Sequence, residues 1–473
     1  MCKSCKYNDF ILTFVSYLMY IAMDRIYRVY IALLFIFSAS VLDSCVSSLH
    51  EQNFNHDVTA GNGADVSDRV VSQETRRVLV LYSAGFNSLS SFLLEDIEDL
   101  KKGYLPNDRR NDDILLVYSH VPTKSGIYSV NNSPVLTRLY RTLDGEVVSD
   151  TLKVYDVESI SASADHMRDV LTFVMDEFPA KNYGMIFSSH ATGYLPSGYY
   201  ASSDKFEGGQ FLAAERMSAC VGPVPVPYVE PEFDESYPPV KSIGQTVSAS
   251  GNRTVSYEMD IKDFAAAIPM HMDYILFDAC LMGGIEVAYE LKDVCDVVVF
   301  SQAEVLAEGL NYTTLADHIF GNEDSRLVDV CKDYFTQYDN QTGVMRSATI
   351  SLVDCRKLEP LASTCRTLFS AYRNKINSLN YMNVQRYYRS SFHWFYDLES
   401  ILVQAGISQD ELTALRRDLD GCVMYKANTP SFMNSFNIDV FSGFSMFLPS
   451  HGGDYLKSYY KTLEWNKATG LVL

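Results

Sequence analysis

Two apolar runs in this chain end in side chains suited to acyl transfer. Gly184–Ser189 (GMIFSS) leads into His190, and Tyr274–Asp278 (YILFD) leads into Ala279 and Cys280, with helical spacing from Gly284 onward. A thiol at a helix N-terminus sees the positive end of the dipole, which favours the thiolate. An imidazole on a neighbouring strand end would take the thiol proton and later deliver it to a leaving amine. One cysteine and one distant histidine on adjacent strand ends is what a thiol hydrolase needs. The competing reading is structural: cysteine is among the most buried residue types, and the histidine can be a satisfied core residue. Other catalytic classes have less support, since the chain lacks a Gly-x-Ser-x-Gly elbow, a Walker loop and a His-Glu-x-x-His motif. His120 and His166 stand apart from any Cys/His cluster, so zinc is unsupported. His318, His393 and His451 read as surface or core residues.

The elements that must position these residues alternate. Arg77–Ser83 (RVLVLYS) and Ile114–Ser119 (ILLVYS) are apolar runs of the kind seen in strands buried on both faces. Leu152–Tyr155 and Asp296–Ser301 (DVVVFS) add two more strands, and Ser88–Leu100, Ser163–Phe178 and Gly284–Leu291 carry helical spacing. Strands separated by such helices imply parallel βαβ units, whose ligands bind at the carboxyl ends of the strands. The expected fold is therefore α/β, a mostly parallel sheet flanked by helices over 77–326. An α+β region over 327–473 is expected to pack on it. There Ala348–Val353 and Phe441–Leu448 read as strands, and Leu358–Tyr372 and Tyr455–Leu463 as helices. Ser408-Gln-Asp-Glu411 is a capping box opening a helix that runs to Leu419. Between 208 and 260 the periodicity stops, and six of the 15 prolines fall in Pro223–Pro239. An irregular stretch of that size inside a domain is usually functional or disordered.

Composition narrows the function classes. With 47% hydrophobic and 21% charged residues, the chain has the make-up of a folded globular protein. Lys and Arg number 39 against 59 Asp and Glu, a net charge of −20, which repels phosphate backbones and argues against nucleic-acid binding. Arg25 and Arg28 precede the 14-residue apolar run Val29–Leu42, which falls short of the roughly 20 residues of a spanning helix. A basic segment, an apolar run and a cut site make a secretory signal, so 1–44 reads as an N-terminal extension followed by a signal peptide. The run ends Leu42-Asp43-Ser44-Cys45, resembling a bacterial lipoprotein box in which Cys45 is lipidated, although Asp43 departs from the usual small or apolar residue. A plain signal peptide with an incidental cysteine is the alternative. Met23 reads as the true start. Residues 45–76, rich in Ser, Asn, Asp and Gly, read as a tether. Seven cysteines follow Cys45, so in an oxidising compartment at least one stays unpaired or pairs between chains.

The segment Phe277-Asp-Ala-Cys280-Leu-Met-Gly-Gly-Ile-Glu286 resembles the D-A-C-L-M-x-x-x-E nucleophile motif of the clostripain family, secreted bacterial cysteine endopeptidases of the caspase-like clan. Leu81–Leu89, Tyr183–His190, Ser301-Gln-Ala-Glu304 with Gly309 and Tyr312, Ser442–Met446 and Leu463–Asn466 are similar to further blocks of that family, so the resemblance runs from about 77 to 465. It implies Cys280 as nucleophile and His190 as base and acid. The backbone N–H groups of Cys280 and Ala191 would form the oxyanion hole. Relatives usually carry glycine after the histidine; an alanine there is strained if the position needs positive φ. The resemblance makes Asp278 the acid of a pocket for Arg or Lys at P1, with a helix N-cap as its other reading. Glu304 is a second acidic candidate or a solvated loop residue, and Glu286 a first-turn acid or a packing partner. Calcium is implied by analogy alone, without an EF-hand-like loop. The expected partners are protein or peptide substrates with a basic P1 residue and, through the lipid, the membrane of the bacterial cell envelope. Relatives cut themselves between the catalytic residues into two associated pieces; here that interval holds Lys205, Arg216, Lys241 and Arg253. The second reading is a lipoprotein that keeps the fold as a weakly catalytic or inactive binding module.

Overall fold

The computed structural model describes residues 75–85, 89–107, 112–120, 133–156, 159, 161–209, 226–227, 246–250, 253–390 and 393–473. The signal segment, Cys45 and most of the tether lie outside them, as do Arg216 and Lys241. The apolar runs form the centre of one sheet. Its strands are β1 (Thr75–Ser83), β2 (Asp113–His120), β3 (Pro134–Arg141), β4 (Val147–Val154), β5 (Ala180–Ser188), β6 (Met272–Asp278), β7 (Cys295–Phe300), β8 (Thr349–Asp354) and β9 (Val423–Asn428). They lie in the order β9-β8-β7-β6-β5-β1-β2-β3-β4. The five central strands, β7 to β2, are parallel. Antiparallel pairs extend both edges, β3–β4 beyond β2 and β8–β9 beyond β7. The expected mostly parallel sheet is thus present, with two strands, β3 and β9, that the periodicity did not announce. Their half-buried, polar-interrupted patterns explain why: continuous apolar runs come from strands covered on both faces.

Crossover direction sorts the helices. From β1 the chain steps one way to β2 through the helix Ser90–Lys102, and later the other way through β5, β6 and β7. Right-handed crossovers in opposite directions place helices on opposite faces. Accordingly Ser90–Lys102 packs with Tyr312–Phe320, while Ala164–Glu177, Ile261–Ala267 and Ile285–Leu291 pack in succession, the last also against Glu464–Thr469. The reversal falls at the β1/β5 boundary, the switch point at which open sheets hold ligands.

The chain beyond 327 continues the same sheet through β8 and β9. Its helix Gln409–Cys422 opens with the expected capping box: Ser408 Oγ accepts from the Glu411 N–H at 3.3 Å and Glu411 accepts from the Ser408 N–H at 2.7 Å. Phe441–Leu448 is not a full strand; only Ser445–Met446 pairs, with Tyr396–Asp397. Within 208–260 the described residues include a hairpin, Thr246–Ser250 with Arg253–Tyr257, joined by Val226–Pro227. Proline and serine there mask the strand pattern.

Candidate active site

Register brings His190 and Cys280 together. In the parallel pair β5–β6 the last partners are Ser188 and Asp278, and each candidate stands two residues beyond, at neighbouring carboxyl ends. The end of β1 is tied in as well: Ala84 N–H donates to Ser188 O at 2.9 Å, and Ser189 Oγ donates to Ala84 O at 3.1 Å.

Past Cys280 the chain turns sharply. Leu281 has φ of 63°, a left-handed conformation that costs a side-chain-bearing residue about 1–3 kcal/mol. Two backbone bonds offset it, Leu281 N–H to Ala303 O at 3.0 Å and Gly283 N–H to Ser301 O at 2.7 Å. Gly283 admits no side chain, because a Cβ would lie 2.6 Å from Gln302 N. The loop after β7 therefore lies against the thiol: Val305 N–H donates to Cys280 Sγ at 3.0 Å, and Sγ faces Val305 O at 3.6 Å. The next helix begins only at Ile285, with Gly284 at its N-cap. Cys280 is thus not at a helix terminus, and the expected dipole assistance is displaced along the chain.

Position alone sets Cys280 apart from the other described cysteines. All six are free and buried. Burial pushes the thiols of Cys295, Cys331, Cys355, Cys365 and Cys422 well up, which keeps them protonated and inert. None of those five stands beside His190 at a central strand end. The site is closed, with Cys280 0%, His190 4% and Ala191 8% exposed.

Ala191 is not among the described residues with positive φ, so the strain expected of a non-glycine there does not arise. The glycine requirement has moved to Gly193, with φ of 61° and a would-be Cβ 2.5 Å from Leu281 O. This close approach locks the loop after His190 onto the turn after Cys280. The same loop is held by two buried carboxylates that the sequence reading missed. Ser197 N–H donates to Asp260 Oδ1 at 2.6 Å, and Gly198 N–H donates to Glu258 Oε2 at 2.7 Å. Burial raises Glu258 to about 7 and Asp260 to about 6. Their i, i+2 spacing ahead of the helix Ile261–Ala267 was the available signal.

Asp278 is fully buried and does not cap the helix, a place that Gly284 holds. Its Oδ2 accepts from Ser188 Oγ at 3.1 Å and from Tyr312 OH at 2.7 Å. Beside it lies a cavity of about 10 Å³ lined by Asp278, Ser301, Val305 and Tyr334 among others, room for about one water molecule. Glu304 is not a solvated loop residue: it is fully buried, pairs with Arg389 Nη2 at 3.2 Å, and is raised to about 7 by burial against the pull of Arg389. Glu286 is a packing partner. Its Oε1 accepts from Phe447 N–H at 2.9 Å and Tyr460 OH at 2.7 Å. Ser445 N–H donates to Gly283 O at 2.8 Å, so the C-terminal segments brace the turn.

The clostripain family profile matches residues 81–218 and 233–470, both candidates included. This chain belongs to the clostripain family. No curated protein matches it. Among solved structures it is similar to an inactive zymogen C11 protease from Parabacteroides distasonis, 25% identical over 85% of this chain and 99% of that one, with a TM-score of 0.64. It also shares the fold of a secreted C11 cysteine protease from Bacteroides thetaiotaomicron in complex with an irreversible peptide inhibitor. That chain is 24% identical over 84% of this chain and 99% of its own length, with a TM-score of 0.62. As a clostripain-family member with this caspase-like fold, the chain is a cysteine endopeptidase acting on peptides or proteins. Among its described residues no three or more His, Cys, Asp or Glu side chains form a group able to hold a metal ion. Nor is any described helix long and apolar enough to cross a membrane.

Proposed function

We propose that this clostripain-family endopeptidase cleaves after Arg or Lys by a Cys280–His190 dyad. The observation that carries the dyad is register: the β5–β6 pairing ends at Ser188 and Asp278, and each candidate lies two residues on. His190 takes the thiol proton and the sulfur attacks the scissile carbonyl carbon. The developing oxyanion is received by the N–H groups of Cys280 and Ala191. Collapse breaks the C–N bond while the imidazolium protonates the amine, and water, deprotonated by His190, releases the acyl group. Basic P1 preference draws on two buried carboxylates close to the thiol along the chain: Asp278, two residues before Cys280, and Glu304, one residue before the N–H that reaches Sγ. A desolvated carboxylate gains most from a substrate cation.

The closed thiol fits a precursor that opens on self-cleavage between His190 and Cys280, leaving two associated pieces. The reading as an inactive binding module draws on the same burial, but the unstrained Ala191 removes its other support. Location in the bacterial envelope, anchored through lipid on Cys45, draws on the lipoprotein-like segment and on the secreted protease that shares this fold. The test is turnover of a peptide library varied at P1 by processed protein. Cleavage confined to Arg and Lys, and absent in Cys280→Ala, is expected. A preference for acidic P1 residues, or turnover by Cys280→Ala, overturns the reading.

A further inference from the structure

Glu304 poses a problem. Its carboxylate is fully buried in the loop that lies against Cys280, one residue before the N–H that reaches Sγ. A carboxylate so placed is costly unless a cation joins it. The cation comes from far along the chain: Arg389 Nη2 lies 3.2 Å from Glu304 Oε1. The two ends are unequal, with Glu304 0% and Arg389 26% exposed at the side chain. The guanidinium thus reaches a buried acid from a position still open to water.

The segment that carries Arg389 is pinned on several sides. Arg389 O accepts from Ser435 Oγ at 3.3 Å, and its Nη1 approaches Met433 Sδ at 3.8 Å. Met433 and Asn434 both have positive φ, so the turn beneath Arg389 is itself strained. The neighbouring Tyr388 hydroxyl meets that of Tyr200, on the helix Tyr199–Glu207 that follows the His190 loop. Tyr194 OH, in that loop, donates to Trp394 O at 2.6 Å. As packing alone, a fully buried carboxylate is a poor choice, because an apolar residue of similar volume serves as well or better. A charged pair on the loop whose next residue reaches the nucleophile points to charge recognition.

We infer that Arg389 is an internal stand-in for the substrate's P1 side chain: it occupies Glu304 in the closed enzyme, and Glu304 receives the substrate cation once Arg389 withdraws. The inference rests on the reading that the enzyme cleaves after basic residues with Cys280. It adds a residue that competes for the specificity site, and a reason why Tyr387–Ser390 must move before a substrate can enter.

Full-length protein treated with thiol-reactive peptidyl ketones bearing Arg or norleucine at P1 tests it, with the labelled residue located by mass spectrometry. Arg389→Ala should raise the labelling rate of Cys280 by the Arg probe about tenfold or more, the worth of one charge-assisted contact. The norleucine probe should change less than about threefold on the same scale. Adding Glu304→Gln should cancel that gain, returning the Arg probe to the wild-type rate or below it. An equal rise with both probes means a general obstruction, an equal fall means a structural pair, and either overturns the inference. Should Arg389→Ala fail to fold, Arg389→Lys keeps the charge but loses the planar fork. A smaller rise confined to the Arg probe is then expected, and none overturns the inference. Absence of adduct at Cys280 in every form, processed enzyme included, would instead sink the underlying reading of the nucleophile.

Discussion

At the residue scale, the proposed site rests on two backbone positions as much as on the two side chains assigned to the dyad. Cys280→Ala should abolish peptidase activity with little change in melting temperature, and His190→Ala should come close. The double variant should be little worse, because members of one catalytic unit act non-additively. Initial rates on an Arg substrate, with thermal melts alongside, decide this. The loop after His190 gives a second test. Ala191 has no left-handed backbone to relieve, so Ala191→Gly should leave kcat/KM within about twofold, gaining no more than Gly loses in chain entropy. Gly193→Ala puts a Cβ 2.5 Å from Leu281 O at positive φ and should cost about 1–3 kcal/mol of stability, with a large loss of activity. Comparable kinetics for the two variants would show that the glycine has not moved. Asp278→Asn should lower kcat/KM for Arg and Lys substrates more than for neutral ones. An equal loss would mean that Asp278 serves only to hold Ser188 and Tyr312.

At the element scale, the turn after Cys280 is braced by a carboxylate in the family motif. Glu286 ties the helix Ile285–Leu291 to Phe447 and to Tyr460. Its carboxyl is raised to about 7, first by burial, with the bonds from Phe447 and Tyr460 opposing. The folded state therefore holds this proton more tightly than the unfolded chain does. That contribution to stability is present below about 4.5, the ordinary value, and is lost as pH rises through about 7. Glu258, Asp260 and Glu304 are shifted the same way, so the difference between wild type and Glu286→Gln isolates one group. The variant should melt closer to wild type, or above it, at pH 8 than at pH 5. A gap that does not change with pH would show that Glu286 titrates normally. Tyr460→Phe removes one bond to the same oxygen and should cost about 0.5–1.5 kcal/mol.

At the scale of the whole molecule, self-processing and anchoring are the properties to test. Wild type should resolve into two bands on a denaturing gel and Cys280→Ala into one, with a new N-terminus after Lys205, Arg216, Lys241 or Arg253. A single full-length band that is already fully active would mean the interval is no switch. Cys45→Ser should move the protein from the detergent phase to the aqueous phase, since stable anchoring needs more than one acyl chain. Much of this molecule was legible in its residue order. Strands covered on both faces write continuous apolar runs, so β1, β2, β5, β6 and β7 announced themselves, and with them the strand ends that carry His190 and Cys280. Local capping at Ser408 and Glu411 was equally plain. Half-exposed β3 and β9 were not, because polar residues interrupt their pattern. Long-range contacts left no local mark. Nothing near Glu304 points to Arg389, nothing near Asp278 to Tyr312 as its bond donor, and the need for glycine at 193 exists only because Leu281 O lies across from it. Sequence periodicity reports how an element meets solvent; which side chains from distant elements meet one another is decided by the packing of the sheet and its two helical layers.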